Sequence, residues 1–152
     1  MNIVLIGATG AIGSRILDEA LRRGHTVSAV TRDPRKLEAR PGMTIRAGSL
    51  LRQDGRTHFD YMAEKGVQPP TSKPAAIAFE EIKKANDLDW TAISPAASIQ
   101  AGERTGKFRL GLDHLIEDDQ GQSRISREDF AVAILDELEK PKHIRKRFTA
   151  AY

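Results

Sequence analysis

The sequence predicts an α/β domain, a mostly parallel sheet with helices packed against it. Three observations carry that expectation. Ile3-Val4-Leu5-Ile6 is an unbroken apolar run, β-branched at three positions, as a strand buried on both faces requires. Residues 1–47 then alternate between strand and helix signals, and a β-α-β-α-β order favours parallel pairing. The end of the chain adds an amphipathic helix pattern and one more strand signal.

Taken in order, the first strand runs straight into Gly7-Ala8-Thr9-Gly10-Ala11-Ile12-Gly13. Ile12, Ile16, Leu17, Ala20 and Leu21 follow at helical spacing, and Gly24 stands where a left-handed cap would end the helix. Thr26 to Val30 reads as the second strand. Asp33 and Pro34 are an N-cap and a first helical residue, which predicts a short helix from Pro34 to about Ala39. Pro41-Gly42 turns the chain into a third strand, Met43 to Ala47.

From Gly48 to Pro74 no run of four strand-forming residues occurs. Asp54-Gly55 reads as a hairpin turn, and Gly66 and Pro69-Pro70 oppose long elements. Ala75 to Ala85 predicts a helix, and Trp90 to Ser94 a strand ending at Pro95. Phe108 to Ile116 reads as two short strands around Gly111. Ser126 to Asp129 resembles a capping box and opens a helix with Phe130, Ile134 and Leu138 as its inward stripe, stopped by Pro141. Arg147 to Tyr152 forms the last strand. The chain is thus one domain, 1–152, with halves at 1–47 and 74–152 around an irregular segment at 48–73.

Composition narrows the function. No stretch approaches the apolar length of a membrane span, and Met1-Asn2 enters the first strand without the basic stretch of a secretory signal. With no cysteine, disulfides, thiolate metal sites and thiol nucleophiles are excluded, and a reducing cytoplasm fits. The net charge of +3 is too small to demand nucleic acid. Lys142, His143, Arg145, Lys146 and Arg147 cluster, but with only Phe148 near as a stacking partner they read as a solvated connector. His25, His58, His114 and His143 show no metal-ligand spacing, so no metal is expected. His25, in a turn, is expected to be exposed.

The glycine loop carries the chemistry. One glycine makes a tight turn, one lets backbone amides approach a pyrophosphate, and one lets the helix pack close to the sheet. The helix start then offers N–H groups and a positive dipole end to the phosphates. Strand, loop, helix and second strand stand in the order this motif needs. Arg32 follows the second strand, where an acid would bind the ribose hydroxyls of NAD and an arginine the 2′-phosphate of NADP. Asp33 is the adjacent acid, better used as a helix cap. Gly7, Ala8, Thr9, Gly10, Ala11, Ile12, Gly13 and Arg32 are therefore the predicted cofactor residues, with NADP preferred and NAD the alternative.

The block MNIVLIGATGAIGSRILDEALRRGHTVSAVTRDPRKL resembles atypical short-chain dehydrogenase/reductases of the NAD(P)H-binding, NADH-flavin reductase-like group, related to the biliverdin reductase B and NmrA-like branches. So does DLDWTAISPAASIQAGERTGKFRLGLDHL, continuing through GQSRISREDFAVAILDELEKP to RFTAAY. The resemblance implies a Rossmann-type fold. It places the Ile93-Ser94-Pro95-Ala96 turn near the nicotinamide, which adds Ser94 and Pro95 to the cofactor residues. It sets Glu103-Arg104-Thr105-Gly106 beside the substrate cleft. Members of the group carry about fifty more residues, with a fourth and a fifth parallel strand and the helix between them. Here Gly48-Ser49-Leu50 resembles the stretch after the fifth strand, so the fold is shortened. The ligand crevice of an open α/β sheet lies between its first and fourth strands. Trp90-Ser94, or a strand of a second copy in a homodimer, is expected beside Ile3-Ile6.

Tyr61 and Lys65 match the Tyr-x-x-x-Lys pair of short-chain dehydrogenases. On a helix the two share a face, so the ammonium can lower the phenol's pKa and the phenol can act as a general acid. Ser49, twelve residues earlier, stands near where such enzymes keep a supporting serine. Ser49, Tyr61 and Lys65 are thus the catalytic candidates. The function expected is hydride transfer from the nicotinamide to a flavin, a quinone or a small carbonyl compound. The rival is an NmrA-like sensor that binds the nucleotide without turnover.

Overall fold

A computed structural model describes residues 1–48, 79, 80 and 82–152. Ser49, Tyr61, Lys65 and the Asp54-Gly55 turn lie outside the described residues. The chain forms two compact units, Met1–Gly48 with Thr91–Tyr152, and Ser49–Trp90. In the second, the ring of Phe79 meets Trp90 edge-on at 6.1 Å, and Lys83 Nζ lies 5.4 Å from the Phe79 centroid.

The N-terminal pattern builds the expected β-α-β layer. β1 (Asn2–Ile6), α1 (Gly13–Arg22), β2 (Thr26–Thr31) and β3 (Met43–Ala47) follow in order, and the three strands form a parallel sheet with β2 in the middle. Asn2 stands opposite Thr26 and Ile6 opposite Val30, while Val27 faces Met43 and Thr31 faces Ala47. Ile3 and Leu5 pack with Leu17, Ala20, Val27 and Ala29 between sheet and helix. The expected burial of β1 on both faces is not found. Val4 is 69% exposed and Ile6 49%. With the core gathered on one face, the strand follows the period-two rule of a half-buried sheet.

The neighbour of β1 also differs from the expected one. Among the described residues β1 pairs with β2 alone. The segment expected next to it, β4 (Thr91–Pro95), instead pairs in parallel with the closing strand β8 (Lys146–Ala151). Ile93 stands opposite Phe148, and Phe148 to Ala151 are all buried, so the second half of β8 carries the pairing into the core. β5 (Ser98–Gln100) and β7 (Arg124–Ser126) make a small parallel pair that the sequence patterns did not announce. Of the two strands expected around Gly111 only β6 (Arg109–Gly111) forms, and it joins β8 antiparallel rather than folding into a hairpin. Gly111 lets the strands close tightly, since a Cβ there would stand 3.2 Å from the Ile116 side chain and 3.3 Å from that of Thr149.

The short segment after β2 is a three-residue 3-10 turn, Pro34–Lys36, not a helix to Ala39. Leu37 leaves it in extended geometry and packs against the α1 core, which ends the turn. α2 (Arg127–Glu139) starts at Ser126, whose Oγ accepts the Asp129 amide at 2.9 Å, as the capping pattern predicts. Its inward stripe is shifted: Leu138 is exposed and Leu135 is fully buried. Ile134 touches both apolar clusters of the unit. Arg23 ties the helices together, meeting Glu19 at 2.7 Å, Asp136 at 2.8 Å and Glu139 at 2.9 Å. His25, expected in solvent, is largely enclosed, and its Nε2 lies 2.7 Å from Glu139. The carboxylate at the end of α2 holds the ring in.

Candidate functional site

The loop between β1 and α1 has the geometry its glycines foretell. Gly7 has φ +83°, a left-handed conformation that glycine adopts without strain. The Gly10 amide donates to the Gly7 carbonyl at 2.9 Å and closes the turn. A Cβ on Gly13 would stand 2.1 Å from the Gly7 oxygen, and one on Gly10 3.3 Å. Ala8 is fully buried beneath the loop, and the Gly7 amide reaches the Val30 carbonyl at 3.4 Å, so the loop is pinned to the end of β2.

Ile12 occupies the cap position of α1 without a side-chain cap, and the first turn holds no acid. Among the described residues no protein acceptor takes the amides of Ala11, Ile12 or Gly13. These donors and the positive end of α1 fit a dinucleotide pyrophosphate, and the bare Cα atoms of Gly10 and Gly13 make room for the loop's own Gly7 carbonyl.

At the end of β2, Arg32 is exposed, and among the described residues no carboxylate pairs with it. Asp33 is engaged as expected, its Oδ1 accepting the Arg35 amide at 3.2 Å. The Arg35 guanidinium also donates to both oxygens, at 2.9 and 3.3 Å. The hydrogen bond from Arg35 holds the Asp33 carboxyl below the usual range.

The end of β4 enters the same neighbourhood. Ser94 and Pro95 lead into buried Ala96, which belongs to the cluster against which Ile12 packs. Residues 101–107 are solvent-exposed yet firmly tethered. Glu128 accepts the Gly102 amide at 2.9 Å and meets Arg15 Nε at 2.8 Å, which links this stretch to the first turns of α1. Ser126 Oγ donates to the Glu103 carbonyl at 2.8 Å. Asp129, 0% exposed, accepts from Thr105 Oγ1 at 2.6 Å, the Gly106 amide at 2.7 Å and the Tyr152 hydroxyl at 2.9 Å.

Arg104 reaches α1 and donates to both oxygens of Glu19, at 2.8 and 2.9 Å. Arg22 and Arg23 bond the same carboxylate at 2.6 and 2.7 Å. Burial pushes the Glu19 carboxyl up, but hydrogen bonds from Arg104, Arg22 and Arg23 outweigh it and hold the group far below the usual carboxylate range. Sequence reasoning missed both acids. Arg22 and Arg23, three and four residues after Glu19, were the available signal.

Among the described residues no group of three or more histidines and carboxylates could hold a metal, and no helix is long and apolar enough to cross a membrane.

Known proteins share this fold. Residues 7–60 match the NAD(P)H-binding family model. A candidate exported protein of Burkholderia pseudomallei shares 32% identity and superposes with a TM-score of 0.78, each chain covered in full. A candidate epimerase of Bacteroides thetaiotaomicron shares 31%, with a TM-score of 0.79 over all of this chain and 97% of its own. A candidate NADH-flavin reductase of Streptococcus pneumoniae, at 23% identity and 0.72 over 99% of both chains, shares the fold. YwnB, an uncharacterized protein of Bacillus subtilis strain 168, is 29% identical over 207 aligned positions that span 98% of this chain and 97% of its own. That alignment is longer than the 152 residues here, so the relative carries internal residues that this chain lacks.

Proposed function

The chain belongs to the NAD(P)H-binding family of Rossmann-type proteins, and on that premise we propose that it is a flavin reductase-like oxidoreductase that prefers NADPH. One observation carries the reading: the turn at Gly7–Gly13 leaves the amides of Ala11, Ile12 and Gly13 without acceptors among the described residues, beside the uncapped start of α1. A pyrophosphate held there leaves the adenosine ribose near the end of β2. Arg32 then meets a 2′-phosphate with charge-assisted hydrogen bonds, while Asp33 is occupied by Arg35. Ser94 and Pro95 would stand on the nicotinamide side. When bound, the nicotinamide supplies the hydride. The protein positions a flavin, a quinone or a small carbonyl compound against it and keeps water away. For a carbonyl acceptor, Tyr61 would give the proton, with Lys65 lowering its pKa and Ser49 supporting the oxygen; direct reduction of a flavin needs no such acid.

A nucleotide-binding sensor without turnover is the second reading. The internal residues present in YwnB and missing here, together with the exposure of Val4 and Ile6, favour it. The cytoplasm is the proposed setting, on the absence of cysteine alone.

Steady-state oxidation of NADPH in the presence of riboflavin, FMN, a quinone or a small aldehyde separates the two. Turnover with any acceptor supports the reductase, and nucleotide binding without oxidation supports the sensor. Tyr61→Phe should slow carbonyl reduction by roughly 10²-fold and leave flavin reduction unchanged.

A further inference from the structure

Asp33 follows β2, beside the position where a Rossmann domain that takes NADH offers a carboxylate to the ribose hydroxyls. Here both of its oxygens are in use. Arg35 Nε and the Arg35 amide bond Oδ1 at 2.9 and 3.2 Å, and Arg35 Nη2 bonds Oδ2 at 3.3 Å. Thr31 Oγ1 accepts the Asp33 amide at 3.3 Å and fixes the backbone that aims the side chain. Arg32, between them, is exposed.

We propose that Arg35 selects the nucleotide through Asp33: by pinning and neutralising that carboxylate it withholds it from the adenosine ribose and leaves Arg32 to meet a 2′-phosphate. The inference rests on the reading that Gly7–Gly13 holds the dinucleotide. Two effects act in the same direction. A paired Asp33 cannot accept from the 2′-hydroxyl of NADH. It also presents no bare negative charge to the 2′-phosphate of NADPH, which it would otherwise repel. Arg35 is 90% exposed, so its ion pair is open to solvent and screened, and removing the guanidinium frees both Asp33 oxygens of it. The Arg35 amide survives any substitution there and keeps part of the cap, so the change in selectivity is a matter of several-fold rather than a full reversal. Arg35 is a positioning residue in this scheme, and contact between its guanidinium and the phosphate is the competing role.

Calorimetric titration of NADPH and NADH into the wild type, Arg35→Ala, Arg35→Gln and the double variant Arg35→Ala/Asp33→Asn tells the two apart. Both single variants should bind NADH about 3-fold or more tighter than the wild type and NADPH more weakly, and the double variant should return NADH to its original affinity. Unchanged or weaker NADH binding in the single variants, with only NADPH affected, would overturn the proposal and assign Arg35 to the phosphate itself. A gain in NADH affinity that survives Asp33→Asn would overturn it too. A wild type that binds neither nucleotide would remove the reading of the site and this inference with it. A wild type that favours NADPH, with variants that keep its ratio, would remove the inference alone.

Discussion

A Cβ placed on Gly13 would stand 2.1 Å from the carbonyl oxygen of Gly7, so the start of α1 touches the turn that leaves β1. No side chain fits that gap. Gly13→Ala must push the helix from the loop, and a loss of about 1–3 kcal/mol in stability is expected. Displacement of the helix start should also weaken NADPH binding at least 10-fold. Thermal melting with and without nucleotide checks both effects. A variant that melts and binds like the wild type would show that the helix is free to move.

Arg32→Ala should bring the affinities for NADPH and NADH together while leaving NADH binding nearly unchanged. A charge-assisted pair contributes about 1.5–3 kcal/mol, so the preference lost is about 10-fold or more. Paired titrations of wild type and variant measure it, and equal affinities in the wild type would count against Arg32.

Glu19 is nearly enclosed and bonded by Arg22, Arg23 and Arg104, so Glu19→Ala leaves three guanidinium groups short of their partner. A cost of about 3 kcal/mol is expected, measured by urea unfolding. The pH dependence has a definite sign. The carboxyl is held below its unfolded value, so its stabilisation is complete above the ordinary carboxylate range and is lost as the pH falls through the folded value. Glu139, lowered chiefly by its hydrogen bond from His25, acts in the same sense. The melting temperature should therefore hold from pH 8 down to about 5 and fall below about 4, less steeply in Glu19→Ala.

The features legible in the sequence are those fixed by neighbours along the chain. The turn at Gly7 and Gly10 and the caps at Asp33 and Ser126 each need only three or four adjacent residues, and each is found as expected. Features that depend on distant partners were hidden. Arg104 lies 85 residues from Glu19, and Thr105 lies 24 from Asp129. Asp129 reads as part of a capping pattern, yet its side chain serves another loop. The apolar run Ile3–Ile6 fits a strand covered on one face or on both, and period alone cannot choose. The partner of β4 is β8, at the far end of the chain, and no pattern within β4 names it.

The exposure of β1 leads to a contrast. Val4→Thr should change stability by no more than about 0.5 kcal/mol, because the side chain already faces solvent. Leu17→Ala, at a fully buried position in the α1 core, should cost about 2–5 kcal/mol. Denaturant midpoints of the two variants check it, and a large loss at Val4 would mean that another surface covers it in solution.

Asp129→Ala should cost about 2–4 kcal/mol, since it strands three donors, whereas Tyr152→Phe removes one neutral donor and the acceptor of the Ser126 amide and should cost about 1–2 kcal/mol. Limited proteolysis within residues 101–107 should quicken in the first variant and hardly change in the second.

The most direct measurement is an amide-resolved NMR titration of the full chain with NADPH. Binding at the glycine loop should move the amide signals of Ala11, Ile12 and Gly13 most, with smaller shifts at Arg32 and Ser94. Saturable binding that leaves Ala11, Ile12 and Gly13 unmoved, or no binding at millimolar nucleotide, would contradict the assignment of this loop as the dinucleotide site.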